Sequence, residues 1–210
     1  MPEIPNAVDA VNPVNAANAA NAEEPQPAAS APHDSVNWLT LIYRIPSEPT
    51  RLRAAVWRRL KGLGAIYLQN SVAALPAGTV AERALRKLRR EILEMGGTAV
   101  LFSSAALAGQ AEVLAAFQAA RDDEYEEIID KCHDFHAQLQ KEYVDGHFTY
   151  AELEENEEDL VKLQNWLAKI TERDVFGAPK RTATLEAVAG CEQALEEYAA
   201  RVYAEEGDGS

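Results

Sequence analysis

At 210 residues, 47% of them hydrophobic, the chain can bury a substantial core as one domain or as two small ones. The 34 acidic against 20 basic residues give a net charge of −14, which argues against nucleic-acid binding over the whole surface. No run of about 18 apolar residues exists to span a membrane, and there is no basic leader, so the expected location is the cytoplasm.

Residues 1–37 hold six of the ten prolines and the repeat NAANAANA, with no aromatic residue and no apolar periodicity. Such a segment cannot offset its ordering entropy, and a disordered tail is expected. Trp38 to Ile45, WLTLIYRI, is too short for a helix and is closed by Pro46, so it reads as a strand. Leu39, Leu41, Tyr43 and Ile45 point one way and Trp38, Thr40, Ile42 and Arg44 the other, and both sets are largely apolar. That pattern belongs to a central strand covered on both faces. Trp38 and Ile42 are expected to meet either a long helix downstream or the second subunit of a homodimer.

Pro46 and Pro49, with Ser47 as the candidate cap, open a helix with Leu52, Ala55, Val56, Leu60 and Leu63 at helical spacing, ended by Gly62 and Gly64. Ala65 to Leu75 returns to strand, with Gln69-Asn70-Ser71 as a hairpin turn or a bulge. Thr79 and Glu82 have capping-box spacing, and Ala81, Ala84, Leu85, Leu88, Ile92 and Met95 form the next helix's stripe before Gly96-Gly97. Thr98 to Phe102 is a last short strand. The fold class is α+β: a ferredoxin-like βαββαβ module over residues 38–108, with both helices on one face of an antiparallel sheet.

The run WLTLIYRIPSEPTRLRAAVWRRLKGLGAIYLQNSVAALP resembles the amino-terminal domain of the bacterial chromate-resistance regulators, as do FTYAELEENEEDLVKL and VFGAPKR further on. The resemblance covers about Trp38 to Glu206. It implies a DNA-binding transcriptional regulator linked to chromate or oxidative-metal resistance. Longer relatives carry a further carboxy-terminal domain, expected to be absent here because the chain ends soon after its last helix. The pattern from Gly64 to Val72 is more distantly similar to the small CRISPR-adaptation nucleases and the phenylacetate-pathway repressors. Those nucleases end their first strand in a metal-binding aspartate; here Arg44 occupies that stretch, and a cation does not hold Mg²⁺.

Beyond the module, residues 109–206 read as about three helices. Gln110 to Tyr143 is one long helix with Leu114, Phe117, Arg121, Tyr125, Ile128, Cys132, Phe135, Leu139 and Tyr143 three or four residues apart. Arg121 interrupts that seam. A second capping-box spacing, Thr149 and Glu152, opens a helix with Leu153, Leu160, Leu163, Leu167 and Ile170, broken at Phe176-Gly177-Ala178-Pro179. The last helix, about Thr184 to Glu205, carries Leu185, Val188, Cys191, Leu195, Tyr198 and Val202, and residues 207–210 are expected to be a disordered end. These helices form a bundle or cover the sheet's second face, and the two-faced first strand favours the second arrangement.

Charge divides the chain. Trp38 to Ala108 has 11 basic and 4 acidic residues, net +7, whereas residues 109–210 have 9 basic and 25 acidic, net −16. Arg51, Arg58 and Lys61 on the first helix, and Arg83, Arg86 and Arg90 on the second, lie away from the apolar stripes, where they can neutralise DNA phosphates. The competing reading is a non-enzymatic interaction module whose acidic helices bind a protein, with the basic patch docked internally. Arg59 falls inside the stripe and needs a buried carboxylate, expected from the helical half.

Cys132-His133-x-x-His136 places Cys132 and His136 on one helix face, a soft-metal pair. Two ligands do not make a site, and His147 or Cys191 would have to be recruited, so both are expected to be packing residues. The acidic run Glu152 to Asp159 lacks the alternation and turn glycine of a calcium loop and reads as an exposed face. No phosphate loop, zinc-knuckle spacing or nucleophile elbow is present, so neither a cofactor nor an enzymatic activity is expected.

Overall fold

The computed structural model describes residues 36–208, so the expected tail lies outside the described residues except at its end. There Val36 packs against a buried cluster and Asn37 already belongs to the first strand. The elements are β1 (Asn37–Arg44), α1 (Arg51–Gly62), β2 (Ile66–Gln69), β3 (Val72–Pro76), α2 (Thr79–Glu94), β4 (Thr98–Ala105), α3 (Gln110–Asp145), α4 (Tyr150–Arg173) and α5 (Arg181–Asp208). The order βαββαβ followed by three helices is the expected α+β arrangement. In the antiparallel sheet, ordered β2-β3-β1-β4, β1 is an inner strand, pairing Leu39 with Leu75 on one side and with Ser103 on the other.

One sheet face carries Leu39, Leu41, Ala73, Leu75 and Ala99 against Val56 and Leu60 of α1 and Leu85, Leu88 and Ile92 of α2. Between β2 and β3 both sequence alternatives occur together. Asn70-Ser71 makes the turn, with Ser71 at φ 64°, and the register shifts between Tyr67 and Gln69.

Local capping departs from expectation at two helices. Thr50, not Ser47, precedes α1 and makes no side-chain cap, while the Ser47 carbonyl accepts from Arg53 Nη2 at 3.3 Å. Gly78 caps α2 in extended conformation, which puts Thr79 inside the helix and leaves the Thr79–Glu82 box unformed. Glu82 instead accepts from Arg86 Nε at 2.7 Å, the stronger charged partner. At α4 the box reading holds, with Thr149 Oγ1 accepting from the Glu152 amide at 3.3 Å.

The helical half has a core of its own, built from Tyr125, Ile128, Phe135 and Leu139 of α3 with the apolar stripes of α4 and α5. The stripes differ from the sequence reading at their ends. Tyr143 and Leu185 are 39% and 45% exposed, while Glu142 and Thr184 are buried in their place. Alternating steps of three and four residues keep a seam in register with 3.6 residues per turn. Continued from Ile128, that alternation arrives at Glu142, and run back from Val202 it arrives at Thr184. α5 also runs past the expected end near Glu205 to Asp208.

The sheet's second face is covered at one end only. Trp38, Ile66 and Ala74 pack against Phe117 of α3, and the rings of Trp38, Phe117 and Phe176 lie 5.4–6.0 Å apart. Ile42, Val100 and Phe102 on the same face remain about half exposed, so of the two expected coverings for Ile42 the long helix does not supply one. A helix is only about 10 Å wide, and α4 and α5 pack on α3 and on each other rather than on the sheet.

Arg121 is buried where it interrupts the seam: its Nη1 donates to the Gly64 carbonyl at 3.0 Å. Arg173 Nη1 donates to the Gly62 carbonyl at 3.0 Å, and Glu124 Oε2 lies 3.1 Å from Arg121 Nε and 3.0 Å from Arg173 Nη2. Two guanidiniums from the helical half thus meet the negative, carbonyl end of α1. Among the described residues, no helix is long and apolar enough to cross a membrane.

Candidate nucleic-acid interface

Because α1 buries Val56 and Leu60 against the sheet, Arg51 and Arg58, seven residues apart, are carried on its outer side with Lys61 one turn further on. α2 buries Leu85, Leu88 and Ile92, and Arg83 and Arg90 stand in the same relation on its outer side. The two helices pack on one sheet face and are joined by Arg59 Nη1 to Glu91 Oε1 at 3.0 Å. This corrects the reading of Arg59. Its side chain is 53% exposed and its carboxylate comes from the neighbouring helix, not from the helical half. Its long side chain lets the guanidinium reach water beyond the stripe edge.

All six expected phosphate-binding residues are exposed on this pair of helices. Arg51, Arg58, Arg83 and Arg90 have no carboxylate within ion-pair distance among the described residues. Arg86 is held by Glu82, with Nη2 to Oε1 at 2.6 Å, and Lys61 lies 5.5 Å over the half-exposed ring of Trp57. Among the described residues, none of the six is paired with a carboxylate of α3, α4 or α5. A groove of about 740 Å³ between α2 and β4 is lined by Arg83, Arg86, Arg89 and Arg90 on one side and Val100 and Phe102 on the other.

Sequence reasoning passed over Arg89. Its Nε donates to the Ala99 carbonyl at 3.0 Å, which fixes it along the strand at the floor of the arginine row. Its position one residue after the buried Leu88 placed it on the flank of the helix, and only the neighbouring edge strand makes that flank part of a groove.

The Cys132 and His136 pair is not brought to a third ligand. Cys132 is buried beside Cys191, whose Sγ lies 3.8 Å from the Cys132 carbonyl, and His136 is exposed against Gly190. Burial pushes the Cys132 thiol up, and burial with the neighbouring Cys132 pushes Cys191 up to about 12. In the acidic run, Glu154, Glu155, Glu157, Glu158 and Asp159 are exposed, while Leu153 and Asn156 turn inward. Among the described residues, the group able to offer three metal-binding atoms is Glu142, His147 and Glu152.

Two cationic helices on one face of a ferredoxin-like sheet, with the acidic helix α3 over one end of the other face, define a class of α+β protein with a basic outer surface. The family described as Protein ChrB, N-terminal, matches residues 53–209, most of the chain, and the chain belongs to that family. The match enters within α1 and continues through α5, so it spans the module from α1 onward together with the helical half and leaves β1 outside. No curated protein and no solved structure matches the chain.

Proposed function

We propose that the chain is a DNA-binding transcriptional regulator linked to chromate or oxidative-metal resistance, contacting the duplex backbone through α1 and α2. The observation that carries this reading is the row of cations with no ion pair among the described residues, Arg51, Arg58, Arg83 and Arg90, in a chain of net charge −14. Exposed arginines left without carboxylates in a chain so rich in them are available to a polyanion, and bidentate guanidinium–phosphate bonds suit them to it. Membership of the ChrB amino-terminal family supports the chromate link. Among the described residues, no ion pair favours internal docking of the basic patch onto the acidic helices.

The test is fluorescence anisotropy with duplex DNA from the region upstream of the protein's own gene, across a salt series. Replacing Arg83 and Arg90 by Gln removes two phosphate contacts, so the log–log salt slope flattens by about 1.8 and affinity falls alike for every sequence. Arg83→Glu with Arg90→Glu abolishes binding while the melting temperature holds, since neither side chain has an ion-pair partner among the described residues. A parent protein that binds no duplex at low salt, or a charge-reversed variant that binds as well as the parent, refutes the proposal.

A further inference from the structure

At the corner where α3 passes into α4, one donor atom each from Glu142, His147 and Glu152 lie within 4.8 Å of one another. Glu142 occupies the last turn of α3, where the seam turns its side chain inward, and it is 3% exposed. Its Oε1 accepts from Gln138 Nε2, and its buried Oε2 has no hydrogen-bond donor but stands in ion-pair contact with the His147 ring. What faces that oxygen is His147 Nδ1 at 3.2 Å. Two ligands each about 2.0–2.1 Å from a metal, at tetrahedral or octahedral angles, are themselves about 3 Å apart.

The corner is held by bonds to the backbone that do not use the side chains of Glu142, His147 or Glu152. Gly146 at φ 68° reverses the chain, the His147 amide donates to the Glu142 carbonyl at 3.0 Å, and Tyr198 Oη donates to the His147 carbonyl at 2.5 Å. Glu152 is set in the first turn of α4 by the Thr149 cap, and its carbonyl accepts from Asn156 Nδ2 at 2.7 Å. His147 is 59% exposed, which opens the group to solvent from one side. A buried carboxylate needs a cationic or hydrogen-bonding partner, and a cation held between it and the imidazole supplies one.

We propose that Glu142, His147 and Glu152 bind one divalent transition-metal ion of the Zn²⁺ or Mn²⁺ class, completed by water on the exposed side. Two carboxylates and one imidazole form a mixed oxygen–nitrogen set suited to such ions and poor for soft monovalent metals. Gln138 supplies the outer hydrogen bond that orients Glu142. The site is independent of the basic groove: it lies 25 residues along α3 from Phe117, roughly 37 Å at 1.5 Å per residue.

The experiment is a titration of the full, untagged chain with Zn²⁺, and separately with Mn²⁺, by calorimetry and by competition with a chromophoric chelator. One equivalent binds, and saturating metal raises the melting temperature of the parent. His147→Ala and Glu152→Gln, changes at the exposed and half-exposed ligands, weaken binding by roughly tenfold or more each and lose the thermal shift, while Cys132→Ser leaves both intact. Failure of the parent to take up one equivalent overturns the proposal. So does binding that survives both ligand substitutions, or binding that Cys132→Ser abolishes.

Discussion

Gly64 follows α1 at φ +77°, and a Cβ there would meet the Arg121 guanidinium and lie 2.9 Å from Arg173 Cδ. Gly64→Ala therefore carries two costs. A non-glycine residue in the left-handed region costs about 1 kcal/mol. Displacing the buried Arg121 guanidinium sacrifices its bond to the Gly64 carbonyl, a charge-assisted bond in the range of about 1.5–3 kcal/mol. The sum, roughly 2.5–4 kcal/mol, is a large part of the stability of an ordinary domain. Urea unfolding measures it, and Gly62→Ala is the internal control. Gly62 is the last residue of α1, nothing lies within 4 Å of a Cβ placed there, and its carbonyl bond to Arg173 needs no side chain. That substitution is expected to be neutral or to stabilise by up to about 1 kcal/mol, as alanine does in a helix. A Gly64→Ala variant that loses less than about 1 kcal/mol, or no more than Gly62→Ala, refutes the reasoning that the guanidinium clamp fixes the end of α1.

The neutral thiol of Cys191 is favoured in the folded chain, with its value raised from 9.0 to about 12, so its contribution to stability is fully present below pH 9 and disappears between pH 9 and 12. Alkylation with iodoacetamide at pH 8 is accordingly slow for both cysteines in the native protein and prompt in urea; rapid native labelling would contradict the buried placement. Trp38→Ala removes the ring shared with Phe117 and Phe176 and costs about 3–5 kcal/mol, whereas Ile42→Ser, on the same face of the same strand but 45% exposed, changes stability by about 0.5 kcal/mol or less. Equal destabilisation by the two, measured by denaturant unfolding, would mean that Ile42 is covered in solution.

The module was legible because its signals are local. β1 is bounded by Pro46, the α1 and α2 stripes repeat at helical spacing, and glycines follow both helices, so element type and order could be read from windows of about ten residues. The six cations were legible for the same reason, since a residue opposite a buried stripe is exposed whatever the helix packs on. What the sequence left hidden depends on partners distant along the chain. Arg59 reaches Glu91, Arg121 reaches Gly64, and Arg89 becomes part of a groove only through β4. The burial of Glu142 is a subtler miss. A seam of aromatic and aliphatic residues invites the reader to end it on Tyr143, but the three-and-four alternation had already moved it one residue back, onto a carboxylate.

Layering explains how a chain of net charge −14 presents a basic face at all. The cationic helices α1 and α2 lie on one side of the sheet, and α3 packs on the other through Trp38, Ile66 and Phe117. With stacked layers about 10 Å apart, the two outer layers are separated by about 20 Å, more than twice the screening length of about 8 Å at physiological salt. The acidic half is therefore felt weakly at the arginine row, except near the α1 end where Glu124 is already occupied by Arg121 and Arg173. Cutting the chain near Ala108 to remove the acid would also strip Phe117 from Trp38, Ile66 and Ala74 and take both guanidiniums from the α1 carbonyls. The shortened chain would then report loss of packing along with loss of charge. Charge reversal at Arg83 and Arg90 in the full chain is aimed at the electrostatics, because both side chains are exposed and, among the described residues, neither makes an ion pair.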